Sequence, residues 1–393
     1  MSGDVIQTRN YSTGLEYQTN NSNHSLTTSA RFNESSSEDN IGDSEGVTFS
    51  LSSSNGSAAK NFYWDSTGNY SERKNNSRDA KQHTAEIKIG LITRYSFSPF
   101  FRYYDEDNSG NVNSNRSSLE TNSYGLGFRW EPIARLIIDA SYNEPLNDTL
   151  NTSNEEQKAY IDLSIQWQPS SRTQITANHS QRFYGDSYGL NLTHQNRRLT
   201  NTITYNEQVQ SFSRDNYQLI PSSFLCQNQD ATSLEDCFVE SGDDFNPENS
   251  ATITVFNLAL IEDNDYRLNK TLSWSSQLTL PRTSFSINLS HSDRENLNTG
   301  LKNTAKNLTA GATRNLSPNS KVGLTASYIE RGYAQTTSND QNDIYRRYII
   351  DYSKKINSRL NVIVNLEHQN RSSNNEIYNY SENRISLRLT KDF

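Results

Sequence analysis

The side chains able to do chemistry are scattered through this sequence rather than gathered into a catalytic pattern. Six histidines, His24, His83, His179, His194, His291 and His368, stand singly. None makes the H-x-H or H-E-x-x-H spacing that holds a metal, so they read as solvated or lumen-facing structural groups. No P-loop or G-x-G-x-x-G fingerprint occurs. With so many Ser and Asp, a chance Ser/His or Asp/His pair is compatible with the sequence. The expectation is nevertheless a protein without catalysis, metal or cofactor. Cys226 and Cys237 lie eleven positions apart in one polar segment, with no histidine near. That spacing is wide for a metal pair, and an exported loop sits in an oxidising place, so a local disulfide is expected.

What the sequence supplies instead is a set of polar side chains at alternate positions of otherwise apolar segments. They are Glu86, Lys88, Arg129, Arg135, Asp139, Tyr160, Asp162, Gln166, Arg347, Asp351, Asn361, Asn365, Glu367, Arg384 and Arg388. Both charge signs are present. Two kinds of chemistry fit such a lining. One is a satisfied net of ion pairs and hydrogen bonds that stiffens a wall. The other is a track for a hydrated glycan, whose hydroxyls need paired donors and acceptors and whose rings stack on aromatic faces.

The elements that carry these residues alternate with period 2. Ala85, Ile87, Ile89 and Leu91 alternate with Glu86, Lys88 and Gly90. Tyr124, Leu126, Phe128 and Trp130 alternate with Gly125, Gly127 and Arg129. The same holds for Leu136–Tyr142, Ile161–Trp167, Phe285–Leu289, Val322–Tyr328 and Leu360–Leu366. Such alternation marks strands with one apolar face. The chain closes in the same way: Ile385, Leu387, Leu389 and Phe393 share one face, and Arg384, Ser386, Arg388 and Thr390 the other. An alternating last strand with a terminal aromatic is how outer-membrane β-barrels end, although Lys391 stands where an apolar residue is usual.

The connections also alternate, in length. Short ones, such as Glu131–Arg135, Gln168–Arg172 and Leu280–Thr283, carry turn formers. Long polar ones include Asp105–Ser117, Glu144–Glu156 and Asp215–Asp263. Short turns at one end and long loops at the other is the outer-membrane arrangement, with the short set periplasmic. Trp130, Tyr142, Trp167 and Tyr328 suit interfacial girdles. The expected fold is therefore all-β: residues 1–393 as one transmembrane, antiparallel, up-and-down barrel, with 215–263 as a long extracellular loop able to gate it. Nineteen segments can be counted, yet tracing direction back from Phe393 makes Val5–Gln18 run from outside to inside, whereas a barrel ordinarily starts from inside. An even number is expected, most simply 18 within 16–20, with either one upstream strand missing or one segment outside the wall. Eighteen strands give a backbone diameter of roughly 35 Å, wide enough for water.

The bulk figures agree. A chain of 393 residues with 32% hydrophobic content and a mean hydropathy of −0.87 would read as poorly folded in water, yet it holds 22 Tyr and 15 Phe. A barrel resolves this, because only every second residue of a short stretch meets lipid. A net charge of −8 excludes a nucleic-acid partner. The start, Met1-Ser2-Gly3-Asp4, has neither the basic nor the apolar part of a leader, so a leader is expected to have been removed.

Two stretches resemble the outer-membrane proteins of exopolysaccharide loci and of the exosortase/PEP-CTERM sorting system. They are Tyr95-Ser96-Phe97-Ser98-Pro99-Phe100-Phe101-Arg102-Tyr103, and Asp265–Trp274 running on through Leu280-Pro281-Arg282-Thr283 to Leu289. The resemblance implies a barrel in the bacterial outer membrane that passes, or helps to pass, a secreted polysaccharide. Its partners would be the polysaccharide, outer-membrane lipid, the barrel-assembly machinery during biogenesis, and periplasmic polysaccharide-export proteins. A general or solute-specific porin remains open, as does a structural or receptor barrel that binds through its loops.

The cysteine pair yields a direct test. A disulfide closing this spacing should stabilise by about 3 kcal/mol through the unfolded state. Neither thiol is expected to react with an alkylating agent until a reductant is added; labelling of both without reduction would exclude the bond.

Overall fold

The computed structural model describes residues 7–38, 43–75, 78–111, 119–147, 152, 156–211, 217–226, 251–260, 265–333, 341–357, 360–374 and 378–391, with 217–226 and 251–260 described by backbone alone. Nineteen strands make one antiparallel sheet in which each strand pairs with its neighbours in sequence. The first half holds β1 (Thr8–Asn20), β2 (His24–Ser37), β3 (Ser44–Asn55), β4 (Phe62–Asn75), β5 (Arg78–Leu91), β6 (Phe97–Ser109), β7 (Leu119–Ile133), β8 (Leu136–Pro145) and β9 (Tyr160–Ser170). There follow β10 (Thr173–Arg182), β11 (Gly185–Gln195) and β12 (Leu199–Gln210). A separate unit, Ser213–Asp263, contains β13 (Tyr217–Cys226) and β14 (Ala251–Leu260), which pair only with each other. The sheet resumes with β15 (Arg267–Thr279), which pairs with β12, then β16 (Thr283–Asn296), β17 (Lys302–Ser317), β18 (Ser320–Tyr333), β19 (Gln341–Lys355), β20 (Leu360–Ser373) and β21 (Tyr380–Lys391).

Period 2 sets the two faces. In β6, Phe100, Arg102, Glu106 and Asn108 are buried while Phe101 on the opposite face is exposed. In β8, Asp139, Ser141 and Asn143 are buried and Tyr142 is exposed. A wall with polar residues inside and apolar ones outside is the reverse of a water-soluble core and matches a lipid solvent. Two glycines on the inner face of β7 allow the second layer of side chains to pack there. A Cβ on Gly125 would collide with Asn143 Oδ1, and one on Gly127 would stand 2.6 Å from the Phe100 ring. Outside, Phe97 and Trp130 stack at 5.8 Å near the short turns, part of the expected aromatic girdle.

Connections at one end run from two to six residues: 21–23, 56–61, 92–96, 134–135, 171–172, 196–198, 280–282, 318–319 and 356–359. The other end carries the long ones, 110–118, 146–159, 211–266 and 334–340 among them. It also holds two exceptions that the loop pattern does not announce, two-residue links at 76–77 and 183–184. Arg135 requires a correction. It does not line the wall but sits in the β7–β8 turn with φ 72°, where its carbonyl accepts the Gln168 N–H at 2.8 Å. Alternation counted through a two-residue turn misassigns the residue that makes the turn.

Nineteen lies inside the expected range but is odd. Consequently β1 and β21 run the same way, from the long-loop end to the short-turn end. The expected ladder between first and last strand is not formed among the described residues; β1 pairs only with β2, and β21 only with β20. Ile385, Leu387 and Leu389 do face outward as expected, and their exposure of 78, 65 and 63% exceeds the 40–43% of Ile287, Leu289 and Leu308, which have strands on both sides. Phe393 and the first six residues lie outside the described set.

Unpaired backbone groups in hydrocarbon cost several kcal/mol each, so this seam must be covered in a membrane. Amides of β1 and β21 are expected to be protected from hydrogen exchange in bilayers to the level of β17 and β18. Fast exchange there would place these strands outside the hydrocarbon.

Candidate functional site

Inside the wall of β5–β9 the polar residues converge on Arg102, which is 2% exposed. Its Nε donates to Glu86 Oε1 at 2.7 Å, and its Nη2 lies 3.1 Å from Asp162 Oδ2. Nη1 donates to Asn143 Oδ1 and Tyr160 Oη, both at 3.3 Å. Tyr160 Oη also meets Ser123 Oγ at 2.8 Å. Two rows toward the short turns, Arg129 holds both oxygens of Asp139, at 2.7 and 2.8 Å. Lys88 stands between the two groups, 3.5 Å from Glu86 and 3.8 Å from Asp139. Six of the sequence-derived lining residues, Glu86, Lys88, Arg129, Asp139, Tyr160 and Asp162, thus form one net. Removed from bulk water, each charge needs such partners.

The remaining candidates line other parts of the wall. Arg347 donates to Glu367 at 2.6 Å across the β19–β20 ladder, and Asp351 faces Asn365 in register. Arg384 is in register with Glu367 and bonds Glu382 at 2.9 Å. Arg388 is in register with Ile363, and Asn361 with Lys355 and Thr390. Gln166 lies exposed near the β9–β10 turn. These pairs lie along single ladders and are wetter than the Arg102 net.

Sequence reasoning passed over the hub itself. Arg102 lies in a segment with aromatics on both faces, Phe97 and Phe101 outside, Phe100 and Tyr104 inside, which hides its alternation. It also passed over a second net that spans the interior. From β10, Arg182 reaches Glu106 on β6, with Nε at 2.8 Å and a second bond from Nη2 to Oε1. Tyr104 Oη donates to the same carboxylate at 2.9 Å. Arg182 Nη1 donates to Tyr184 Oη at 3.0 Å, and that hydroxyl lies 3.0 Å from both Ser187 Oγ and Glu207 Oε2. β6 and β10 are not sheet neighbours, so this net crosses the lumen.

Above it the wall turns inward. The β11–β12 ladder ends at Leu190↔Tyr205. Beyond that point β12 and β15 reach the far wall: Gln82 donates to Val209 O at 3.4 Å and Arg73 to Ser211 O at 3.2 Å. Tyr266 Oη lies 3.0 Å from Lys81 O and 2.6 Å from Ser109 O. Phe183, in the two-residue β10–β11 link, is fully buried against Ala80, Leu119, Val209, Tyr266, Leu268 and Leu297, all from the long-loop ends of their strands. A dry apolar layer therefore covers a polar interior. Beneath it are cavities of about 850 and 710 Å³, which share Thr84, Arg182 and Glu207 in their linings.

In sequence, Ser211 and Tyr266 flank the Ser213–Asp263 unit. The disulfide and the gate expected of Asp215–Asp263 lie outside what is described: Cys237 is not among the described residues, and Cys226 is described by backbone alone. Among the described residues no three His, Cys, Asp or Glu side chains gather as a metal site would need.

The apolar exterior, polar interior and strands of 10 to 16 residues are the build of an outer-membrane β-barrel. No helix among the described residues is long and apolar enough to cross a membrane. No family model and no curated protein matches the chain. Among solved structures it is similar to OmpT, an outer membrane protein of Vibrio cholerae, at 8% identity over 88% of this chain and 93% of that chain, with a TM-score of 0.30. It is similar to the siderophore receptor PirA from Acinetobacter baumannii at 8% identity over 99% and 71%, with a TM-score of 0.44. It is also similar to an anion-selective porin from Comamonas acidovorans, at 7% identity over 84% and 90%, with a TM-score of 0.30. The barrel architecture itself stands on the ladders and on the two faces of the wall.

Glu106→Gln removes the charge partner of a buried arginine and should cost about 3–5 kcal/mol. Arg347→Gln breaks an exposed pair and should cost under about 1 kcal/mol. Urea unfolding in detergent micelles compares them; equal losses would show that the cross-lumen net bears no special part of the stability.

Proposed function

We propose that this outer-membrane barrel is a non-catalytic conduit for a hydrated glycan, an exopolysaccharide on its way to the cell surface. The observation that carries the reading is the pairing of charge inside the wall. Arg102, Arg129, Arg182 and Lys88 are each matched by carboxylates at 2.7–3.8 Å or closer, so the lining is strongly polar yet locally neutral. Separate rows of arginine and carboxylate would steer small ions instead. A neutral glycan needs hydroxyl and amide partners without a strong field, and Thr67, Thr176, Asn178, Asn191 and Thr204 line the larger cavity beside Tyr104. The proposed partners are the polysaccharide and periplasmic polysaccharide-export proteins, with outer-membrane lipid around the wall and the barrel-assembly machinery during biogenesis.

A second reading has its own support. The inward turn of β12 and β15 covers part of the lumen, which suits a barrel that holds a ligand rather than passing one. In the conduit reading the same turn is the closed state, and Asp215–Asp263 is the gate.

Deleting residues 215–263 is expected to raise single-channel conductance in planar bilayers while the barrel stays folded by its heat-modifiable gel mobility. Deleting the gene is expected to stop surface polysaccharide from appearing without stopping its synthesis. Normal export in the deletion strain would refute the conduit, and a high, ion-selective conductance of the full chain would establish a porin.

A further inference from the structure

The outer face of β16–β19 carries a trough that the lumen does not explain. The ladders bring Ile287, Ala310, Ala326 and Tyr348 into one row across four strands. The next row toward the short turns is Phe285, Ala312, Leu324 and Ile350. Ala310, Ala312 and Ala326 are the low floor. Phe285 and Ile287 make one wall; Leu324, Tyr348 and Ile350 make the other. Together they bound a cavity of about 510 Å³. The Tyr348 wall is held from behind, where its ring stacks on His368 of β20 at 6.3 Å. At other places on this face, facing positions are filled by bulk on both strands, as at Trp64↔Ile89, Phe101↔Leu126 and Trp274↔Leu289.

The trough is a poor seat for another protein. Four strands about 4.8 Å apart and two to three rows about 6.8 Å apart cover roughly 200 Å². A stable protein interface buries about 800 Å² on each partner. The trough is narrow, apolar on its floor and both walls, and turned toward the hydrocarbon. We propose that it holds one acyl chain of a membrane lipid, bound lengthwise between Phe285–Ile287 and Tyr348–Ile350. The proposal rests on the membrane reading of the outer face and is independent of what the lumen carries. Small residues let the chain reach the sheet, so that dispersion contacts form on three sides instead of one. Retention would follow acyl length rather than headgroup, because no charged side chain lines the trough.

The full chain, purified from membranes and stripped of loosely held lipid by mild detergent exchange, is examined by native mass spectrometry. Wild type should keep one lipid per chain, and rebinding should strengthen with acyl length at constant headgroup. Ala310→Phe with Ala326→Phe should abolish it; the milder Ala326→Leu serves if the double variant fails to fold, and should weaken retention at least several-fold. Equal retention by wild type and filled variants overturns the proposal. So does a wild-type dimer that the filled variants lose, which would make a second copy the occupant. Bilayer insertion is scored separately by heat-modifiable mobility: a chain that does not insert defeats the membrane reading, whereas one that inserts but keeps no lipid defeats only this proposal.

Discussion

A backbone that crosses hydrocarbon has no water to satisfy its N–H and C=O groups, so each must find another strand. That constraint orders the rest of this molecule. It makes every crossing a strand, it makes each strand pair with its neighbour in the sheet, and it imposes the two-residue period that sorts side chains into lipid and lumen. Once the ladder is set, Ile385, Leu387 and Leu389 can only look outward while Arg384 and Arg388 look inward. The same constraint gives the odd strand number its meaning, since two edges running in the same direction cannot close as every internal pair does.

Sorting charge to the inside creates a second problem. A carboxylate or guanidinium on the inner wall loses much of its water, and the loss is tolerable only beside a partner. The Arg102 net solves this along neighbouring strands, and inner-face glycines let its members pack in layers. The Arg182–Glu106 net solves it across the lumen, and so sets how near two walls stand. The same pairing that satisfies the charges leaves a lining rich in hydrogen-bonding groups and poor in field, the property on which the glycan reading rests.

The infold is where β12 and β15 bend to the far wall. The apolar layer around Phe183 lies at the same level. Displacing this apolar plug would release the Tyr266 contacts to two carbonyls and the Gln82 and Arg73 contacts to Val209 O and Ser211 O.

Most of the architecture was legible in the chain because period 2 is local. Alternation at Ala85–Leu91 or Tyr124–Trp130 needs no distant partner to be read, and Glu86, Lys88, Arg129, Asp139, Tyr160 and Asp162 all come from such inward positions on neighbouring strands. It failed where local pattern and local geometry part: at Arg135, where a turn interrupts the count, and at Arg102, where aromatics on both faces mask it. What alternation could never provide is distance across the lumen. Which inward carboxylate meets Arg182, how far β12 and β15 bend, and which carbonyls Tyr266 meets depend on how strongly the whole sheet curls. Curvature is summed over many strands, and no single segment encodes it. The sequence by itself therefore determined the faces, the direction of each strand and the ends at which loops gather. Only the tertiary structure decided which inward residues touch, because contact across an interior is set by the closure of the wall rather than by position along any strand.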